Sequence, residues 1–76
     1  MKLKRYLDLS GKSGVVAYAL RPDGIVVQFR SAGRYEYTYD SAGVQAIEEM
    51  QALAQAGRGL STYISRHAPP YARKLT

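Results

Sequence analysis

Seventy-six residues with a formal net charge of +5 and no cysteine make one small domain, without disulfides or a thiolate metal site. A chain this short buries only about 60% of the surface its unfolded form would expose, so its stability margin is thin and dimerisation would widen it. No stretch approaches the roughly 18 apolar residues of a membrane span. The basic start, Met1-Lys2-Leu3-Lys4-Arg5, lacks the apolar run of a signal peptide, so a cytoplasmic protein without membrane contacts is expected.

The charge is unevenly spread. Residues 1–12 carry Lys2, Lys4, Arg5 and Lys12 against Asp8, and residues 58–76 carry Arg58, Arg66, Arg73 and Lys74 with no acid. The middle is slightly acidic, so the positive field belongs to the two ends, where it would draw phosphate backbones.

In chain order, a basic arm over 1–14 ends in the turn Gly11-Lys12-Ser13-Gly14. Val15 to Leu20 then reads as a strand from its β-branched and aromatic content. Arg21-Pro22-Asp23-Gly24 stops it, with Gly24 expected at positive φ to close a three-residue hairpin loop. The second strand, 24–30, alternates Ile25, Val27 and Phe29 against Val26, Gln28 and Arg30. The third, 34–39, sets Tyr35, Tyr37 and Tyr39 against Arg34, Glu36 and Thr38. A three-residue loop pairing Arg30 with Arg34 keeps the apolar sets together, with Phe29 facing Tyr35, Val27 facing Tyr37 and Ile25 facing Tyr39. In the first hairpin the same loop length would put Ala17 and Ala19, rather than Tyr18 and Leu20, on that face.

Asp40 or Ser41 caps the helix that follows, whose apolar stripe is Ala46, Ile47, Met50, Leu53, Ala54 and Gly57. Gly57 and Gly59 end it. A shorter helix, Leu60 to His67, presents Leu60, Tyr63, Ile64 and His67, and Ala68-Pro69-Pro70 halts it. The tail, 68–76, is basic and expected to be mobile. The fold class is α+β: a three-stranded antiparallel β-meander over 15–39, packed against two C-terminal helices over 41–67.

Catalytic chemistry finds no support in the residues. Gly11-Lys12-Ser13 resembles a phosphate loop, but Tyr6 stands where the first glycine is needed and a strand, not a helix, follows. Glu48 and Glu49 are adjacent and diverge on a helix. The single histidine, His67, has no carboxylate in its segment to orient it and reads as a partly buried, hydrogen-bonded group. No metal cluster, cofactor or enzyme activity is expected.

The tyrosines remain: seven of them, no tryptophan, interleaved with arginine. Such a surface stacks bases while cations hold phosphates. Three at period two opposite Phe29 and Val27 also suit a cross-strand core, the reading taken for Tyr35 and Tyr37. For stacking on a partner, Tyr6 beside Lys4 and Arg5 and Tyr71 beside Arg73 and Lys74 are the candidates.

From about Ser13 to Arg66 the chain resembles the KTSC domain, a module found at the C-terminus of certain lysyl-tRNA synthetases and alone in small bacterial proteins. The residues that carry the likeness are Tyr35-Glu36-Tyr37, the preceding Val27-Gln28-Phe29, and the spacing from Gly57 through Leu60 to Ile64 and Arg66. Gly59 departs from it, standing where such domains tend to carry an aromatic. The resemblance implies RNA binding without an established activity. Two expectations follow. The first is a non-enzymatic module that binds RNA or DNA weakly through Lys2, Lys4, Arg5, Arg58, Arg66, Arg73 and Lys74, with Tyr6 or Tyr71 stacking. The second is a module that binds a protein partner, or itself, through an edge strand or the outer sheet face of Val26, Gln28, Arg30, Glu36 and Thr38.

Overall fold

The computed structural model describes residues 2–9, 11 and 13–75. It is an α+β domain, with one antiparallel sheet of order β1-β2-β3-β4-β5 and three helices. The strands are β1 (Lys4–Arg5), β2 (Val15–Arg21), β3 (Gly24–Phe29), β4 (Gly33–Thr38) and β5 (Arg73–Lys74). The helices, between β4 and β5, are α1 (Tyr39–Ala42), α2 (Val44–Ala56) and α3 (Leu60–His67).

The sheet is therefore wider than a three-stranded meander. Both basic ends join it as two-residue edge strands, β1 on β2 and β5 on β4. The tail is accordingly held rather than loose, since the Ala72 and Leu75 amides donate to the Glu36 and Arg34 carbonyls at 2.6 and 2.8 Å.

The first hairpin closes through two residues, with Arg21 paired to Gly24, not through three. That register puts Tyr18 opposite Val27 and so turns Tyr18 into the core, which a three-residue loop would have denied it. Gly24 does not adopt positive φ. It is needed because a Cβ there would overlap the Tyr37 carbonyl oxygen. A register shift between Val15 and Ala17 inserts one extra residue, which lets Val15 and Tyr18, three apart, both reach the core.

The second hairpin has the expected three-residue loop, one position earlier: Arg30-Ser31-Ala32, closed by Gly33 at φ 88°. The faces are as expected, but each pairing slides by two residues, so that Val27 faces Tyr35 and Ile25 faces Tyr37.

The single expected first helix is split at Gly43, which sits at φ 93°. Its cap is Thr38, not Asp40 or Ser41: the Ser41 amide donates to Thr38 Oγ1 at 3.2 Å and the Thr38 amide to Ser41 Oγ at 3.0 Å. Helix α2 buries Ile47, Met50 and Ala54 against Tyr18, Ile25, Val27 and Tyr37. Gln51 ties it to the first hairpin, donating to the Arg21 and Gly24 carbonyls at 3.2 and 2.8 Å. Leu60 of α3 closes the core, while His67 at its far end is exposed beside the Tyr63 ring rather than partly buried.

Candidate nucleic-acid interface

The glycine turn before β2 is organised around Asp8. The Gly11 amide donates to the Asp8 carbonyl at 2.9 Å and the Ser13 amide to Asp8 Oδ1 at 3.1 Å. Backbone donors that a phosphate loop would present to a ligand are thus engaged by the chain itself. Lys12 of that turn lies outside the described residues.

The sheet has two unlike faces, and its register sorts the cations between them. Directly opposed residues on antiparallel strands share a face. Arg5 pairs with Ala17, Ala17 with Gln28, and Gln28 with Arg34. In the next row Ala19 pairs with Val26, Val26 with Glu36, and Glu36 with Arg73. Arg21, Gly24 and Thr38 make a third. These rows face away from the core cluster of Ile25, Val27 and Tyr37, against which all three helices pack. Among the described residues no helix covers them.

Two contacts organise this open face. Arg34 Nε donates to Gln28 Oε1 at 3.2 Å, and Arg73 Nε to Glu36 Oε1 at 2.7 Å, with the Arg73 side chain 70% exposed. Val26, at its centre, is 0% exposed, so this face shows solvent its polar and cationic side chains and no apolar floor. Arg30, in the loop beyond β3, is exposed and donates from Nη2 to the Ser13 carbonyl at 3.2 Å.

The expected site residues are divided by this arrangement. Arg5 and Arg73 lie on the open face. Lys4 and Lys74 pair with Tyr18 and Tyr35, and so point to the helical side. Lys74 Nζ sits 5.6 Å from the centre of the Tyr35 ring. Lys2 is exposed ahead of β1, while Arg58 and Arg66 are exposed in the helical layer. Arg34, which sequence reasoning placed on the outer side of its strand without singling it out, joins Arg5 and Arg73.

Tyr6 is no stacking surface. It is 2% exposed, and its hydroxyl accepts the Leu60 amide at 3.3 Å. Burial pushes its pKa up, against the lowering effect of that hydrogen bond, with the Asp8 charge adding to the rise. Tyr37 is 4% exposed, and burial raises it to about 12, with Tyr35 and Tyr71 contributing. Tyr71 is 51% exposed, yet it meets Tyr35 edge-on at 4.8 Å and Tyr37 at 6.5 Å, on the helical side.

Among the described residues no three metal-ligating side chains come together, and no helix is long and apolar enough to cross a membrane. No family model, curated protein or solved structure matches the chain.

Proposed function

We propose that this domain is a non-enzymatic, KTSC-like module that binds RNA or DNA weakly, by charge, using no small-molecule cofactor. The observation that supports the reading is the convergence of Arg5, Arg34 and Arg73, from three distant parts of the chain, on one helix-free sheet face. Guanidinium groups suit phosphate because their donors match its oxygens in pairs. With so few cations, affinity is micromolar or weaker and steeply dependent on salt. Pairing of an edge strand with a partner or a second copy is disfavoured, because β1 and β5 are two residues long and wholly basic.

Fluorescence anisotropy with labelled single-stranded RNA, single-stranded DNA and duplex, at low and moderate salt, tests the reading. Binding at low salt that weakens sharply with added salt is expected. No binding to any of the three at low salt overturns it, and sedimentation of the same sample would reveal self-association instead.

A further inference from the structure

We infer that the cavity between Arg5 and Arg30 is a phosphate seat, in which both guanidinium groups close on one internal phosphodiester of the bound nucleic acid. The inference rests on the nucleic-acid reading above and names the side chains that anchor the chain. The cavity measures about 250 Å³, and Arg5, Asp8, Val16 and Arg30 line it together with Tyr6 and Leu7. That is below the roughly 300 Å³ at which pockets begin to take drug-sized molecules, so it has room for a small group only.

An irregular strand makes the cavity. Between Val15 and Ala17 the β2–β3 ladder takes in an extra residue, and such a bulge bends its strand and re-aims the side chains around it. Arg5 enters from β1, where it pairs with Ala17. Arg30 enters from just beyond β3, where its amide donates to the Gly14 carbonyl at 2.7 Å.

Arg30 is aimed by the glycine turn. Ser13, which is buried, is engaged on three sides: its amide donates to Asp8 Oδ1 at 3.1 Å, its hydroxyl accepts the Val15 amide at 3.0 Å, and its carbonyl accepts from Arg30 Nη2 at 3.2 Å. A long side chain hung from a buried carbonyl has given up part of its rotamer freedom before a ligand arrives, which lowers the cost of binding one. The carbonyl takes one corner of the guanidinium, and the remaining donors keep the fork that matches a pair of phosphate oxygens. The turn that begins at Gly11 thus serves phosphate at one remove, through the arginine its carbonyl holds rather than through its own amides.

The charge of the lining selects the kind of phosphate. Two guanidinium groups are met by one carboxylate, that of Asp8, so the walls carry a single net positive charge. An internal phosphodiester brings one negative charge and balances it. A terminal phosphate monoester carries about −1.5 to −2 at neutral pH and would press its second charge on Asp8. Two guanidinium groups sharing a small cavity also repel each other, and one anion between them relieves that repulsion.

The test uses the full, isotope-labelled chain and the oligonucleotide that binds most tightly in the anisotropy series above. The Nε–H signals of Arg5 and Arg30 should shift together along one saturation curve, while that of Arg58, exposed in the helical layer, moves no more than added salt alone moves it. Arg5→Gln and Arg30→Gln should each weaken binding about three- to tenfold, and the double variant little further, because either loss breaks the same contact. The salt slope of the double variant should fall by about one, not two, since one phosphate is released. A 5′-phosphate added to the oligonucleotide should change affinity by less than about twofold. Silent Arg5 and Arg30 signals, a slope that falls by about two, or a larger gain from the 5′-phosphate overturns this assignment and leaves the nucleic-acid reading standing. Absence of binding by every oligonucleotide removes both.

Discussion

The Tyr6 hydroxyl accepts the backbone N–H of Leu60, joining the segment just after β1 to the first turn of α3 across 54 positions of sequence. Gly59, the residue before α3, has no side chain to cap the helix, so a distant phenol takes that role. Tyr6→Phe keeps the ring in the core and strands a buried amide. It should cost about 1–3 kcal/mol, read as a lower urea midpoint with unchanged slope. A midpoint equal to the parent's would mean that water replaces the hydroxyl.

The raised pKa of Tyr37 sets an alkaline limit on the fold. Below the ordinary tyrosine pKa of about 10 the phenol is protonated whether the chain is folded or not, and stability does not depend on it. Between about 10 and the folded value of about 12 only the unfolded chain gives up the proton, so stability falls as pH rises. Tyrosinate absorbance should show a late-titrating fraction, to which Tyr6 also contributes, that shrinks by one group in Tyr37→Phe. If that variant titrates like the parent, the late proton belongs elsewhere.

Two glycines should fail for opposite reasons. At Gly24 an added methyl overlaps the Tyr37 carbonyl, backbone that cannot swing aside, so Gly24→Ala should lose more than about 3 kcal/mol and risk the β3–β4 pairing. Gly43 has open space around it but sits at φ 93° and ψ 152°, an extended conformation essentially reserved to glycine, so Gly43→Ala should cost about 1–3 kcal/mol of backbone strain. Thermal unfolding of the pair gives the order, and a smaller loss at position 24 would contradict the packing described for it.

The C-terminal strand should be visible in hydrogen exchange. The Ala72 and Leu75 amides, bonded to β4, are expected to exchange more slowly than those of an unstructured tail. Tyr71→Ala removes the ring that lies against Tyr35 and Tyr37, and both amides should lose that protection while the β2–β3 amides keep theirs. Random-coil exchange at these two positions in the parent would argue against β5.

Much of the central architecture was legible in residue alternation. Ile25, Val27 and Tyr37 fall on the buried face, and the α2 stripe of Ile47, Met50 and Ala54 is the one that packs. Pairing was harder to read than facing, because sliding the second hairpin by two residues moves every partner and no side chain changes sides. The decision lay with Gly33, whose positive φ closes the loop from the first position of β4. Edge strands of two residues contain no period at all, so β1 and β5 left no pattern to find. Tyr6 followed from them: seen beside Lys4 and Arg5 it looks like a surface ring, and only the docking of β1 on β2 turns it inward. The outer face itself is legible in Val26, Gln28, Glu36 and Thr38, but its cluster of cations is not, since Arg5, Arg34 and Arg73 become neighbours only once the ends of the chain are woven in.

Every strand lies beside its predecessor in sequence, yet β5 returns to β4 only after the excursion through α1, α2 and α3. Closing that long detour is the costliest seam of the fold in chain entropy, and a two-residue strand repays little of it. The Arg73 margin is thus the last stretch to zip up and the first to peel away on warming. Loss of ligand affinity should therefore precede loss of the aromatic core as the domain is heated.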